Sequence, residues 1–294
     1  MDNLILEKLE FEKFHGLGND YIIINDIEYK IPDEKKSELA KKLCETHFSI
    51  GADGLIFVCN SDKVDIKMRI FNPDGSEPSM CGNGIRCFSK YIYENNIINK
   101  DEIKIETLKG IIVAKLRIIK SKVKSVKIDM GAPILDCDKI PVISLKNESI
   151  CLSEPLEILD KKFIFSAVSM GNPHAVIFVD EQLNDDDLEK YGVAIEPHER
   201  FPKKVNVEFV KVLSETEAIL RVYERGVGIT KSCGTGTCAA VVAGTKLGKF
   251  RENTPITIHN DGGDLIISYI AGETVLMEGP VERVFKGVIE NLKV

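Results

Sequence analysis

At 294 residues, 44% hydrophobic and 29% charged, the chain is long for one compact core, so two domains of roughly 130 to 150 residues are expected. The net charge of −7, without a Lys/Arg run interleaved with aromatics, excludes a phosphate-backbone partner, and no nucleic-acid binding is expected. The opening MDNLILEKLEFEKF has no basic start and no apolar core of a signal peptide, and no apolar run approaches a membrane span, so a cytoplasmic protein without a membrane partner is expected.

In chain order, DYIIIND, LIFV, DIKMRIF, IKIET, IIVAKLRII and VKSVKIDM are short Ile- and Val-rich runs bounded by Gly, Asn, Asp or Lys, the pattern of strands. Helices are predicted over 33–46, where Leu39, Ala40 and Leu43 recur at helical spacing beside Lys and Glu, and over 82–95. Beyond a crossing at 131–133, FIFSAVSM, AVIFVD, NVEFVKV, AILRVYE, PITIHN, LIISYI and TVLMEG read as strands, and a third helix is predicted over 234–247. Within it CAAVVAGTKLG is small and apolar nearly all round, so sheet should enclose it. NPDG, GNP and NDGG supply turns. The fold class is α+β, with two similar, strand-dominated domains.

Residues 68–87, MRIFNPDGSEPSMCGNGIRC, lie without a gap over residues 220–239, LRVYERGVGITKSCGTGTCA, at an offset of 233 − 81 = 152. Four of the twenty positions are identical: Arg69/Arg221, Cys81/Cys233, Gly82/Gly234 and Gly84/Gly236. The same register lays GLIFV over NVEFV, and a one-residue shift lays GNDYIII over GNPHAVI. Two homologous halves that face each other are expected.

Cys81 and Cys233 each precede Gly-x-Gly and a helical stretch, which places each sulfur at a helix N-terminus. Unpaired N–H groups and the helix dipole there favour an anion, whether a thiolate or a docked carboxylate. The other cysteines, Cys44, Cys59, Cys137, Cys151, Cys87 and Cys238, are expected as free, buried, small apolar residues rather than a disulfide framework. No cysteine pair has the tight spacing of a zinc site, and His15, His47, His174, His198 and His259 show no ligand pairing, so no metal is expected. Two thiols meeting at one substrate could remove an α-proton from one face and deliver a proton to the other. No motif for a cofactor that would spread the resulting charge is evident, so none is expected, and aimed N–H dipoles would take its place.

FNPDGSEPSMCGNGIRC, RVYERGVGITKSCGTGTCA, GNPHAVIFV and NVEFV resemble the signature segments of diaminopimelate epimerases, and the resemblance runs from FEKFHGLGNDY to EGPVERVFKG. It implies cofactor-independent interconversion of LL- and meso-diaminopimelate, on the route to lysine and peptidoglycan, with Cys81 and Cys233 as acid/base pair. Gly82, Asn83, Gly234 and Thr235 would hold the reacting carboxylate. Glu224 and the Arg225 backbone would lie near substrate ammonium groups, with Asn19, Asn72, Asn172, Asn206 and the Arg225 guanidinium clamping the distal end. His174 and Glu224 would tune the thiols. Without the resemblance, an Asn beside Gly would be read as a turn residue only.

The resemblance also implies two pseudo-symmetric domains, 1–131 with a returning strand 279–294 and 132–278, each a curved, mostly antiparallel sheet around a central helix, and a homodimer. Gly54 stands where some relatives have a glutamine that reaches substrate, and Ile229 replaces a common acidic residue; residues 1–9 precede the matching region. The rivals are a proline racemase, a hydroxyproline epimerase or a small-acid isomerase of the same superfold, a thiol redox protein, and a non-catalytic amino-acid binder. Asn83 with Glu224 and Arg225 favours a substrate with a second amino-acid head.

Overall fold

The computed structural model describes residues 4–79, 81–146 and 148–294. Of the unassigned stretch 1–9, residues 1–3 lie outside the described residues, and the remainder enters the first strand. The chain forms two compact units, Met1–Ile128 with Gly279–Val294, and Asp129–Glu278.

The first stretch of chain gives β1 (Ile5–Gly16), β2 (Asn19–Asn25), a single turn α1 (Asp26–Tyr29), α2 (Asp33–Cys44), β3 (Gly54–Cys59) and β4 (Ile66–Phe71). It continues through α3 (Gly82–Glu94), β5 (Glu102–Thr107), β6 (Gly110–Ile119) and β7 (Lys122–Asp129). The second stretch gives β8 (Glu154–Ile158), β9 (Lys161–Ser169), β10 (Pro173–Phe178), α4 (Asp185–Ile195), β11 (Asn206–Ser214) and β12 (Glu217–Glu224). After the short β13 (Gly228–Thr230) follow α5 (Gly234–Lys246), β14 (Ile256–Asn260), β15 (Gly263–Tyr269), β16 (Val275–Pro280) and β17 (Glu282–Lys293).

In the first unit the strands neighbour one another in the order β17, β1, β2, β3, β4, β5, β6, β7. The pairings are antiparallel except for β2/β3 and β4/β5. In the second the order is β8, β9, β10, β11, β12, β14, β15, β16, antiparallel except for β10/β11 and β12/β14. The two patterns are the same. Register follows the repeat too: Leu55 opposes Phe71 and Val207 opposes Tyr223, each pair displaced by 152.

α3 packs on β1, β2, β3, β4 and β6, and α5 on β9, β10, β11 and β15. Five strand spacings laid flat would span about 24 Å, roughly twice a helix diameter, so each sheet must curve around its helix. The sequence explains the choice of helix. Every residue from Gly236 to Thr245 is buried, so only side chains of this size and polarity fit. α2, by contrast, buries Leu39, Ala40 and Leu43 on one face.

Several elements go beyond the sequence reading. β1, β8 and β17 interleave charged with apolar residues, which hides their strand character. α4 opens on Asn184, whose side chain accepts from the Asp187 amide at 2.8 Å, and three acids in its first turn favour the helix dipole. Its buried Leu188, Tyr191 and Ile195 follow helical spacing. One expectation is overturned: Cys137 and Cys151 are not free thiols but form a disulfide with Cα atoms 5.5 Å apart. The intervening chain doubles back, with the Cys137 amide donating to Ser149, a pairing that spacing alone does not reveal. Cys44, Cys87 and Cys238 are buried and Cys59 is half-buried, and none of the four is in a disulfide. Among the described residues no helix is long and apolar enough to cross a membrane.

Candidate active site

Cys81 is the N-cap of α3, in extended conformation at φ −145° and ψ 114°. Its sulfur accepts from the Gly84 amide at 3.5 Å, so the first free N–H groups of the helix are turned on it. Tyr21, arriving on β2, sets its hydroxyl 2.8 Å from the same sulfur. That hydroxyl also donates to Asn19 Oδ1, which takes a second bond from Asn83 Nδ2 at 3.2 Å. Asp53 accepts from Asn19 Nδ2 at 2.8 Å, and Arg86 donates to Asn83 Oδ1 at 2.9 Å. Burial first, then the charge of Cys81, pushes the Tyr21 hydroxyl well up, so it remains a proton donor.

Asn19, Asn83 and Cys81 are thus brought into one cluster, with Gly82 buried in the first turn of α3. Asn72 is fixed in its own turn: its side-chain amide donates to Ser76 Oγ at 2.9 Å at the NPDG corner. Gly54 opposes Tyr21 across β2/β3, and a Cβ there would meet Phe71 O at 3.0 Å and the Tyr21 ring at 3.2 Å. The space a longer side chain would need is filled by the tyrosine. Tyr21 itself is a polar group that sequence reasoning missed; its place in the GNDY run, two residues past Asn19 on a strand, puts both side chains on one face.

Cys233 caps α5 in the same extended conformation, φ −117° and ψ 108°, but is only 5% exposed. Its sulfur lies 3.5 Å from Thr235 Oγ1, with Gly234 beside it in the first turn. Around it stand carboxylates. Glu224, at the end of β12, accepts from Thr230 Oγ1 at 2.5 Å, and Glu208 rises from β11. Burial first, then Glu224 and Glu208, pushes the Cys233 thiol well up. His174 is buried on β10, with Nδ1 2.7 Å from Glu208 Oε1 and Nε2 3.0 Å from Asn172 Oδ1.

Ligand-type atoms of His174, Glu208 and Cys233 all lie within 4.8 Å of one another, so His174 does have the company expected of a metal ligand, which its sequence context did not suggest. Asn206 Oδ1 accepts from the Arg225 amide at 2.9 Å and its Nδ2 donates to Pro173 O, so this asparagine fixes the Glu224–Arg225 corner. The Arg225 guanidinium is exposed and donates to Lys203 O at 3.0 Å. Ile229 packs against the apolar core of the second unit. Glu208 was not singled out in the sequence, although it lies within the NVEFV segment.

The sequence profile of the diaminopimelate epimerase family matches residues 11–135 and 166–284. A diaminopimelate epimerase of Bacillus cereus (strain AH820) is 46% identical over 285 residues, covering 97% of this chain and 98% of the relative. One from Bacillus anthracis has the same identity and coverage. Among solved structures, a hydroxyproline epimerase from Agrobacterium vitis with bound trans-4-OH-L-proline shares the fold at TM-score 0.68 and 13% identity, over 97% of this chain and 92% of that one. A phenazine biosynthesis protein of the PhzF family from Bacillus anthracis does so at TM-score 0.71 and 15% identity, over 97% and 99%. The extent and identity of these matches show that the chain belongs to the diaminopimelate epimerase family.

Proposed function

We propose that the chain interconverts LL- and meso-diaminopimelate in lysine and peptidoglycan precursor synthesis, with Cys81 and Cys233 as its two acid/base groups and no cofactor. The observation that carries this is the repeat itself: two units of one topology each open their enclosed helix with a cysteine set among polar side chains. One sulfur, as thiolate, removes the α-proton, and the other, as thiol, delivers a proton to the opposite face. For the other isomer the roles exchange, so an acid and a base of the same type suit both directions.

An amino-acid α-proton is weakly acidic, and the negative charge that develops on the substrate carboxylate must be met. The amides at Gly82, Asn83, Gly234 and Thr235 supply N–H dipoles that are already oriented. Glu224 and the Arg225 carbonyl meet substrate ammonium groups, while Asn19, Asn72, Asn172, Asn206 and the Arg225 guanidinium recognise the distal head, where a planar fork suits a carboxylate. His174 and Glu224 tune the thiols; the stacking of charge beside Cys233 supports this. The functional domains are 1–131 with 279–294, and 132–278. The enzyme works in the cytoplasm as a homodimer.

Incubation with LL-diaminopimelate in deuterated water tests the reading. Expected are α-deuterium incorporation and meso product with no added cofactor and no loss on chelation. Loss of activity on chelation, restored by metal, would overturn the two-thiol chemistry.

A further inference from the structure

At one buried position the two units differ in kind. Ile56 on β3 and Glu208 on β11 are related by the repeat, since 56 + 152 = 208, and both are fully buried. Each lies under the same glycine of its helix: a Cβ on Gly84 would meet Ile56 Cδ1 at 3.3 Å, and one on Gly236 would meet Glu208 Oε1 at 2.4 Å. The fold therefore accepts an aliphatic side chain here. A carboxyl at the same place costs desolvation, and among the described residues Glu208 Oε2 has no hydrogen-bond partner to offset it. The other oxygen takes His174 Nδ1 at 2.7 Å, while Nε2 is held at 3.0 Å by Asn172, so the ring cannot turn without losing both bonds.

We propose that Glu208 is a positioning residue for the epimerisation: it grips the His174 ring through Nδ1 and sets the charge that faces the Cys233 sulfur. The inference rests on Cys233 being one of the two acid/base groups. The groups facing that sulfur are His174 from β10, Glu208 from β11 and Glu224 from β12, with the Thr235 hydroxyl and Gly236 amide from α5. Without Glu208 the ring is tethered at one end only, and one of two carboxyls opposing the thiolate is gone.

The test is Glu208→Ile, which installs the side chain that the sister position already packs, alongside the near-isosteric Glu208→Gln. Expected for Glu208→Ile is an unchanged or higher Tm together with a kcat about tenfold to a hundredfold lower and a KM within about threefold of the parent. Glu208→Gln, which keeps a hydrogen bond to the ring, restores part of kcat. In both variants Cys233 is alkylated by iodoacetamide faster at a given pH than in the parent, and Cys81 is not, as read by peptide mass spectrometry. A folded Glu208→Ile enzyme with parental kcat overturns the proposal, as does a kcat loss that tracks a fall in Tm with the Cys233 alkylation profile unmoved. If Glu208→Ile does not fold, Glu208→Gln with unmoved Cys233 alkylation and parental kcat has the same force. Nitrogen-15 spectra of the His174 ring in the resting enzyme report the Nδ1 bond without turnover. Failure of the two-thiol reading, seen as an active Cys233→Ala enzyme, is thereby distinguishable from failure of the grip.

Discussion

Cys81 and Cys233 cap equivalent helices in equivalent units, yet their surroundings are chemically opposite. Around Cys81 the partners are neutral: the Tyr21 hydroxyl on the sulfur, then Asn19 and Asn83, with Asp53 and Arg86 one bond further out. Around Cys233 they are ionisable: Glu224, Glu208 and His174. The repeat makes the substitutions explicit. His174 corresponds to Tyr21 at 21 + 153 and Glu224 to Asn72 at 72 + 152. A duplicated scaffold thus gives two sulfurs the same place at a helix N-terminus and different neighbours.

The largest effect expected from breaking this comparison is on the sulfurs. Cys81→Ala and Cys233→Ala should each lower epimerisation by several orders of magnitude in both directions, because a required member of a unit is lost. The difference between them survives in exchange: each mutant should wash the α-proton out of one isomer far faster than the other, with opposite preferences. Deuterium incorporation into each isomer measures it, and a shared preference would refute the division of labour. Cys87→Ala and Cys238→Ala, in the helix interiors, should leave exchange intact in a folded protein.

Next in size is the charge on the second sulfur. Burial and the two carboxyls hold Cys233 as a thiol, so its alkylation should be slow near neutral pH and rise as pH climbs above the ordinary thiol range. Glu224→Gln removes one opposing charge and should move that rise to lower pH while cutting kcat about a hundredfold. On the other side, Tyr21→Phe deletes the hydroxyl from Cys81 and should cost about tenfold in kcat with Cys233 alkylation unmoved. Peptide-resolved alkylation rates across pH separate the two sites.

Both sulfurs, both enclosed helices and α2 were legible because each rests on a local pattern: Cys-Gly-x-Gly before a helix, apolar residues all round, or one apolar face. The neighbours that distinguish the sulfurs were less legible. Tyr21 and Glu208 reach their cysteines across strands, 60 and 25 residues away in the chain, and nothing local marks them. The repeat could have marked Glu208, since an acid lying over Ile56 in an apolar strand is an anomaly that needs a partner. It could also have supplied α4, because residues 185–195 fall on α2 at the same offset. The Cys137–Cys151 bond has no counterpart in the first half, so the repeat could not show it.

The smallest expected effect concerns a repeat identity that is structural rather than chemical. Arg69 and Arg221 occupy equivalent strand positions, and each reaches the first residue of the equivalent helix: Arg69 Nη1 to Asp33 Oδ1 at 2.6 Å, Arg221 Nη2 to Asp185 Oδ1 at 2.5 Å. Each also binds a second carboxylate. Arg69 does so bidentately, with Glu77 at 2.8 Å for both bonds, whereas Arg221 shares one oxygen of Asp261. Arg69 further lies 5.1 Å from the Phe71 ring centroid. The arginines are mostly buried but Asp33 and Asp185 are largely exposed, so the helix bonds are weakened by water and the second carboxylates matter more. Replacing either arginine by Met should therefore lower stability by about 1 to 2 kcal/mol, with Arg69→Met the worse because a fork-to-fork pair is lost. Activity should stay within about twofold, since neither guanidinium touches a sulfur cluster. Denaturant titration of the two variants against kcat decides it: a larger loss from Arg221→Met would mean that the single-oxygen contact, not the bidentate one, anchors its helix.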